Sequence, residues 1–432
     1  MSPEAVGITG IVVLLFLFAL RMPVAFSMAL VGFAGFAYLN GTQSALTILG
    51  QDVFDTFTSY NLSVIPMFIL MGSFAFSAGI SKRLYQACYD WVGQFRGGVT
   101  SATVAACAGF GAICGSTVAT TAAMGKIALP EMRKYGYNDR LSTGTIASSG
   151  ILGTLIPPST VFIVYGILAE ESIGKLFVAG IVPGILLAVL FIMTVAFICW
   201  RNPDFGPPGP AVSWKMRLKS VVALSEVILL FGVTIGGILC GWFSPTQAGA
   251  VGAAGALLIG LLRGLDIRET IESVKDGLRT ACMVLCVIMG ATVFGHFLAI
   301  SNVPFVLADW LGGLPLPPII IMVFVILIFF LGGFFMDSMA LVIVAVPIFL
   351  PVVMELGFNS IWFGVIIVVV AGMGVITPPV GVSVFVVKGI APEIELNTIF
   401  RGIFPFLGAL IVLTILLMIF PGIATFLPDL VY

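Results

Sequence analysis

Apolar residues fill this chain in runs too long for strands. A helix that crosses a bilayer needs about 20 predominantly apolar residues. Ten stretches approach that length: Val6 to Leu20, Val24 to Leu39, Leu62 to Gly79, Leu141 to Leu168, Leu176 to Trp200, Val222 to Gly241, Pro245 to Leu262, Ala281 to Ile300, Ile361 to Val387 and Ile403 to Phe420. Gly41 to Ser59 and Gly264 to Thr280 are shorter and amphipathic, which predicts helices lying in the membrane interface. Val99 to Met132 and Leu316 to Glu355 are apolar but interrupted by Gly, Ser and Thr, a pattern that predicts hairpins entering and leaving on one side. Trp200 to Ser220 is a polar, proline-rich hinge at the middle of the chain.

The two halves repeat. Shifted by 221 positions, Gly111 meets Gly332, Leu129-Pro130 meets Leu350-Pro351, Gly136 and Asn138 meet Gly357 and Asn359, and Pro157-Pro158 meets Pro378-Pro379. Register held across Gly, Pro and Asn landmarks is not what two merely apolar halves would give. Five crossings and one hairpin per half make an odd number, so the second half is inverted relative to the first. The expected fold is therefore an all-α membrane protein of two inverted-topology repeats with re-entrant helical hairpins and broken helices. Charge tests this independently. Under that topology, 17 of the 19 basic residues fall on one side, with Lys175 on the other and Lys126 inside the first hairpin. Such a bias marks the cytoplasmic face, so both termini are expected outside.

Composition narrows the function. Sixty per cent of the residues are hydrophobic and 9% charged, against about 25% charged in a soluble domain. A net charge of -1 offers no field for nucleic acid. The seven cysteines are scattered and form no Cys-x-x-Cys pair, so they read as small buried hydrophobes. The first apolar run lacks a basic n-region and a cleavage site, so it reads as a retained helix rather than a signal peptide. With one histidine, His296, and neither a His-Glu-x-x-His nor a Gly-x-Ser-x-Gly run, no enzyme constellation is visible.

Four places break the helical pattern at membrane depth. The hairpins carry Gly109 to Thr117 and Gly332 to Ser338; the crossings after them carry Gly153-Thr154-Leu155-Ile156-Pro157-Pro158 and Gly374-Val375-Ile376-Thr377-Pro378-Pro379. A Pro-Pro pair removes two N–H donors and disfavours helix just before it, which frees carbonyls. Freed carbonyls with hydroxyls beside them form a hard oxygen cage suited to Na⁺. Two repeat-related cages are expected, one at Gly111, Gly153, Ile156 and Pro158, the other at Gly332, Gly374 and Thr377. The hairpin tips, Ser116 and Thr117 in one half and Asp337 and Ser338 in the other, are expected to face the solute. Asp337 is an isolated carboxylate in apolar sequence, and such residues are functional by default. Lys126 and His296 read at least as well as a snorkelling and a packing residue, and Glu226 and Arg217 suit partner-helix or headgroup contacts.

At this point the chain resembles a family. The runs GFGAICGSTVATTAAMGKIALPEMRKYGYNDRLSTGTIASSGILGTLIPPS and MDSMALVIVAVPIFLPVVMELGFNSIWFG, with GVITPPVGVSVFV further on, resemble the large, DctM-like membrane subunit of TRAP (tripartite ATP-independent periplasmic) transporters across essentially the whole chain. The resemblance implies an elevator-type transporter of the cell inner membrane that couples Na⁺ to uptake of an organic anion, such as a C4-dicarboxylate or sialic acid. It implies two partners, a small four-helix membrane subunit on a separate chain and a periplasmic substrate-binding protein. The chain departs from the family at Ser338-Met339, where Pro-Thr is often found, and at Ser383, where Asn is frequent. The expected division is scaffold at 1–60 and 222–280, transport regions at 61–200 (hairpin 98–135) and 281–432 (hairpin 316–356), and a hinge at 201–221. The rival expectation is a self-contained Na⁺/anion symporter of similar hairpin architecture.

Overall fold

The computed structural model describes residues 1–20, 22–313 and 315–432; Arg21 and Leu314 lie outside the described residues, as do the side chains of Ala223, Ala308 and Gly312. Among the described residues there are helices and no strand. The first half runs α1 (Pro3–Ala19), α2 (Val24–Asn40), α3 (Thr42–Thr58), α4 (Val64–Ser77), α5 (Ile80–Val92), α6 (Gly98–Cys114), α7 (Thr117–Lys134), α8 (Asp139–Ser149), α9 (Leu152–Leu155), α10 (Thr160–Leu168) and α11 (Ile173–Arg201). The second runs α12 (Trp214–Leu239), α13 (Pro245–Leu262), α14 (Ile267–Ile300), α15 (Val303–Gly312), α16 (Pro318–Gly332), α17 (Ser338–Glu355), α18 (Ser360–Ile376), α19 (Val382–Ile390), α20 (Leu396–Ile419) and α21 (Gly422–Val431).

The repeat is present at the level of helix ends. A shift of 221 carries Thr117–Lys134 onto Ser338–Glu355, and Asp139–Leu155 onto Ser360–Ile376. Both prolyl pairs, Pro157-Pro158 and Pro378-Pro379, are cis. The starts of these helices are fixed by matched caps. Ser116 and Asp337 cap the return arms α7 and α17, and Asn138 and Asn359 cap α8 and α18. Each side-chain oxygen satisfies an N–H that has no partner within the helix.

Contacts at the loops show that the halves are inverted. The base of the first hairpin is tied to the central hinge, with Gly97 N donating to Gly206 O at 2.9 Å and Asn138 N to Phe205 O at 3.1 Å. The same end holds Arg140, whose Nε donates to Arg401 O at 3.1 Å, and Arg133, which pairs with Glu393. The base of the second hairpin is tied to the opposite end, where Ser360 O accepts from Tyr165 Oη at 2.6 Å and Ser360 Oγ meets Glu171. The hairpins therefore open toward opposite ends of the bundle.

Among the described residues six helices, α11, α12, α13, α14, α17 and α20, have the length and apolarity of a spanning helix, and two bent helix pairs raise that number to eight. Helix α17 is nonetheless the return arm of a hairpin, because the chain reverses at 333–337. Several expectations change here. The second amphipathic segment is not a separate helix; it is the start of α14, which runs 34 residues without a break, about 51 Å. Its counterpart α3 is separated from α4 by Ser59–Ser63, with a short 3-10 turn at Asn61–Ser63, and the two segments are bent by 53°; the second half has no such polar turn between Thr280 and Ala281. The hinge is shorter than 201–221, since Ser213 caps α12 and helix begins at Trp214. Helices α5, α15 and α21 had no place in the hydropathy pattern, being short or amphipathic.

Candidate functional site

Both breaks lie at the centre of the bundle because the hairpins cross over. Return arm α7 packs on α19, the piece that follows the second break, and return arm α17 packs on α10, the piece that follows the first. Ahead of the breaks, Gly372 admits the side chain of Ile151, so α18 and the α8–α9 segment touch directly.

At the first break the predicted residues converge. Gly111 and Gly153 lie backbone to backbone; a Cβ on Gly111 would stand 2.6 Å from the Gly153 Cα. Only glycine permits that approach. The carbonyl of Ser116 and the hydroxyl of Thr120 crowd Gly153 from the hairpin side. Thr117 Oγ1 and Thr154 Oγ1 are 3.0 Å apart, and Thr154 also donates to Ile151 O at 3.0 Å. The Gly115 carbonyl accepts from Thr160 N at 3.3 Å and Thr160 Oγ1 at 2.9 Å, which pins the hairpin tip to α10. Pro158 closes the same corner, its carbonyl facing Gly115. Ile156 caps α9 with extended backbone, and its side chain faces Gly184 of α11. In a regular helix Gly153 O and Thr154 O would accept from residues 157 and 158, which are prolines and have no N–H to give.

The second break repeats this with a one-residue offset. Gly333, not Gly332, lies against Gly374, a Cβ on Gly333 standing 2.8 Å from the Gly374 Cα. Gly332 faces Leu341 instead. The sequence register pointed to Gly332, but the turn at 333–337 rotates its neighbour into the close contact. Thr377 caps α18 and its hydroxyl donates to Met373 O at 2.6 Å. Ser338 and Ser383 are buried beside the break with hydroxyls that meet no partner.

Asp337 lies at the tip of the second hairpin, at the surface of the protein. It is exposed, and Oδ1 accepts from Met339 N at 2.8 Å and Ala340 N at 3.3 Å as the N-cap of α17. Its repeat partner Ser116 does the same for α7, accepting from Ala119 N at 3.4 Å. Capping explains why a polar residue stands there; it leaves Asp337 Oδ2 uncommitted. Lys126 is exposed on α7, with no ion-pair partner among the described residues. His296 Nε2 stands 3.1 Å from Asp52 Oδ1 on α3, away from both breaks. Glu226 departs most from expectation: it is buried and taken up within the chain. Its two oxygens meet Arg83 at 3.0 and 2.6 Å and Arg263 at 2.9 and 2.5 Å.

Buried hydroxyls without partners cluster at the first break as well: Thr120, Thr121, Ser148 and Ser149. A dry, unpaired hydroxyl costs free energy, so such a concentration suits a polar guest. Of the buried unpartnered hydroxyls at the two breaks, the sequence pointed to Ser338, at the second hairpin tip, and Ser383, as a departure from the family pattern. The available signal was Ala147-Ser148-Ser149-Gly150, a small polar run inside an apolar crossing. Among the described residues no three His, Cys, Asp or Glu side chains converge to bind a metal. The available donors are carbonyls and hydroxyls, which suit a hard cation rather than a soft, thiol-seeking metal.

Residues 11–423 match the sequence model of the family described as "Tripartite ATP-independent periplasmic transporter, DctM component". The chain belongs to this family. Relatives of this DctM chain include the C4-dicarboxylate TRAP transporter large permease protein DctM of Pseudomonas aeruginosa, 36% identical over 90% of this chain and 93% of the relative. They also include the sialic acid TRAP transporter large permease protein SiaM of Vibrio cholerae, 31% identical over 95% of each, and the ectoine/5-hydroxyectoine TRAP transporter large permease protein UehC of Ruegeria pomeroyi, 33% identical over 98% of each. Among solved structures, the YdaH transporter of Alcanivorax borkumensis shares the fold with a TM-score of 0.66 at 16% identity, covering 89% of both chains. MtrF of Neisseria gonorrhoeae does so with a TM-score of 0.60 at 14% identity, over 89% of this chain and 85% of that one. The DctM chain is thus the large permease of a TRAP transporter, a multi-span membrane protein whose relatives are permeases rather than enzymes.

Proposed function

We propose that this permease couples Na⁺ to the inward movement of a small organic anion, a carboxylate or sulfonate, handed to it by a periplasmic binding protein. The observation that carries the reading is the pair of repeat-matched breaks, each a glycine–glycine contact beside proline-freed carbonyls and unpartnered buried hydroxyls. Gly111, Ser116, Gly153, Ile156 and Pro158 would hold one Na⁺, and Gly333, Gly374 and Thr377 the other. Na⁺ at these places supplies the positive charge that an anionic solute needs between the hairpin tips, where Ser116, Thr117, Asp337 and Ser338 offer hydrogen bonds. The solute class follows the relatives' names, which cover C4-dicarboxylates, sialic acid, isethionate and ectoine.

The reading places the chain in the inner membrane with the basic end in the cytoplasm, by the positive-inside bias. Helices α1 to α3, α12, α13 and the first part of α14 form a fixed scaffold, and the hairpins and broken helices move against it. A small membrane subunit completes the assembly on the scaffold. Uptake into proteoliposomes tests this. With the binding protein present, uptake should require a Na⁺ gradient. Equal uptake with K⁺ in place of Na⁺, at the same membrane potential, would exclude the coupling. Full uptake without binding protein would favour a self-contained symporter.

A further inference from the structure

At the end of the bundle away from the basic residues, α3 and the start of α13 face the turn between α10 and α11 across a cavity of about 580 Å³. Four carboxylates line it, Asp52 and Asp55 from α3 and Glu170 and Glu171 from the turn, and among the described residues no Lys, Arg or His does. Lys175, the next basic residue along the chain, is held over the ring of Tyr432, 5.9 Å from its centroid. Asp55 and Glu170 are exposed, with no ion-pair partner among the described residues. Asp52 is buried, at 7% exposure. Its Oδ1 meets His296 Nε2 at 3.1 Å, and its Oδ2 meets no partner among the described residues.

A buried carboxylate oxygen without a donor is costly, and like charges around one space oppose each other's ionisation. A cation in the cavity relieves both. The helix ends do not supply the missing charge. The starts of α13 and α11 are already capped by Ser244 and Ser172, and the last turn of α10, at Gly166 and Ile167, brings its negative end to the cavity. A tight divalent site does not fit, because among the described residues no three acidic side chains converge on one point. The charges are spread over both walls instead. A cleft lined by one sign of charge concentrates counter-ions without coordinating any one of them.

The cavity also lies close to the first break. Thr160 stands six positions before Gly166 on α10, about 9 Å away, and its Oγ1 donates to the Gly115 carbonyl at the tip of the first hairpin at 2.9 Å. That separation is near the Debye length of about 8 Å at physiological salt, so the field of the carboxylates reaches the break. We propose that the cavity is a loose monovalent-cation site, which raises the local concentration of Na⁺ beside the first break. The proposal rests on the Na⁺ coupling inferred above, and its own test includes a readout that does not depend on transport.

The test compares the wild-type chain with the double variant Asp55→Asn/Glu170→Gln, and with Glu4→Gln as a charge change outside the cavity. Na⁺ is titrated against uptake in proteoliposomes at low ionic strength and again in 1 M choline chloride. One unit charge on the order of 10 Å away in water changes a cation's occupancy roughly twofold, so the double variant should need roughly fourfold more Na⁺. In 1 M salt the Debye length is about 3 Å, and the difference should vanish. Glu4→Gln should titrate like wild type. In parallel, ²³Na NMR line broadening by the purified chain should be weaker for the double variant. In wild type, K⁺ and choline at equal ionic strength should reduce it equally. An unchanged Na⁺ titration and unchanged broadening in the double variant would overturn the proposal. So would a shift that persists in 1 M choline chloride, which marks a direct ligand or a damaged fold, or displacement of Na⁺ by micromolar Ca²⁺, which marks a divalent site. Wild-type uptake that runs equally well on K⁺ would sink the coupling instead, and the ²³Na comparison would still decide whether the cavity gathers cations.

Discussion

Replacing Asp337 separates capping from charge, two roles that the sequence alone had merged. Oδ1 accepts two backbone N–H groups at the start of α17, so removing the side chain costs a cap. Asn, Asp and Ser cap about equally well, and loss of such a cap costs about 1 kcal/mol. The charge adds about 0.3–1 kcal/mol from the helix dipole, at the low end here because the residue is exposed. Asp337→Asn and Asp337→Ser should therefore unfold within a few degrees of wild type. Asp337→Ser restores the residue type that Ser116 provides in the first half. Asp337→Ala should be less stable by about 1 kcal/mol. If Oδ2 also serves Na⁺, losing it removes a hydrogen bond or ligand of the charged class, about 1.5–3 kcal/mol. Apparent Na⁺ affinity should then fall roughly ten- to hundredfold in both Asn and Ser variants. The assay is Na⁺ titration of uptake in proteoliposomes, with thermal unfolding on the same preparations. Wild-type Na⁺ dependence in Asp337→Asn, with loss only in Asp337→Ala, would refute a role for the charge and leave a helix cap.

Glu226→Gln should destabilise the permease by about 2 kcal/mol, below the full cost of an uncompensated buried charge because Arg263 is half exposed and can rehydrate; an unchanged unfolding midpoint would contradict that. Gly153→Ala places a methyl 2.5 Å from Thr120 Oγ1 and 2.9 Å from the Ser116 carbonyl, so it should cost about 1–3 kcal/mol and weaken Na⁺-dependent uptake. Gly50→Ala meets nothing within 4 Å and should leave both intact; equal effects of the two would remove the argument from close approach. For orientation, a cysteine at Ser2 should react with an impermeant thiol reagent in intact spheroplasts and one at Ser213 should not, and the reverse pattern would overturn the membrane orientation.

The sequence by itself determined the class of this protein and most of its plan. Lipid is the only solvent compatible with runs such as Val6 to Leu20, and the prolyl pairs set the helix breaks because a missing N–H is a local, covalent fact. Caps are equally local, which is why the boundaries at Asn138 and Asn359 could be anticipated from Gly-x-Asn landmarks. What tertiary structure decided is everything that depends on which surface meets which. Whether Gly332 or Gly333 touches Gly374 turns on the rotation of one helix end, which no register can supply. Asp337 looks buried in a hydropathy pattern, but its side chain points out and back onto its own helix. Glu226 reads as an idle charge awaiting a partner until Arg83, 143 positions away, and Arg263 are seen to close on it. Ion pairs between distant segments leave no periodic signature, because their geometry is set by the packing of helices that are unrelated in the linear chain.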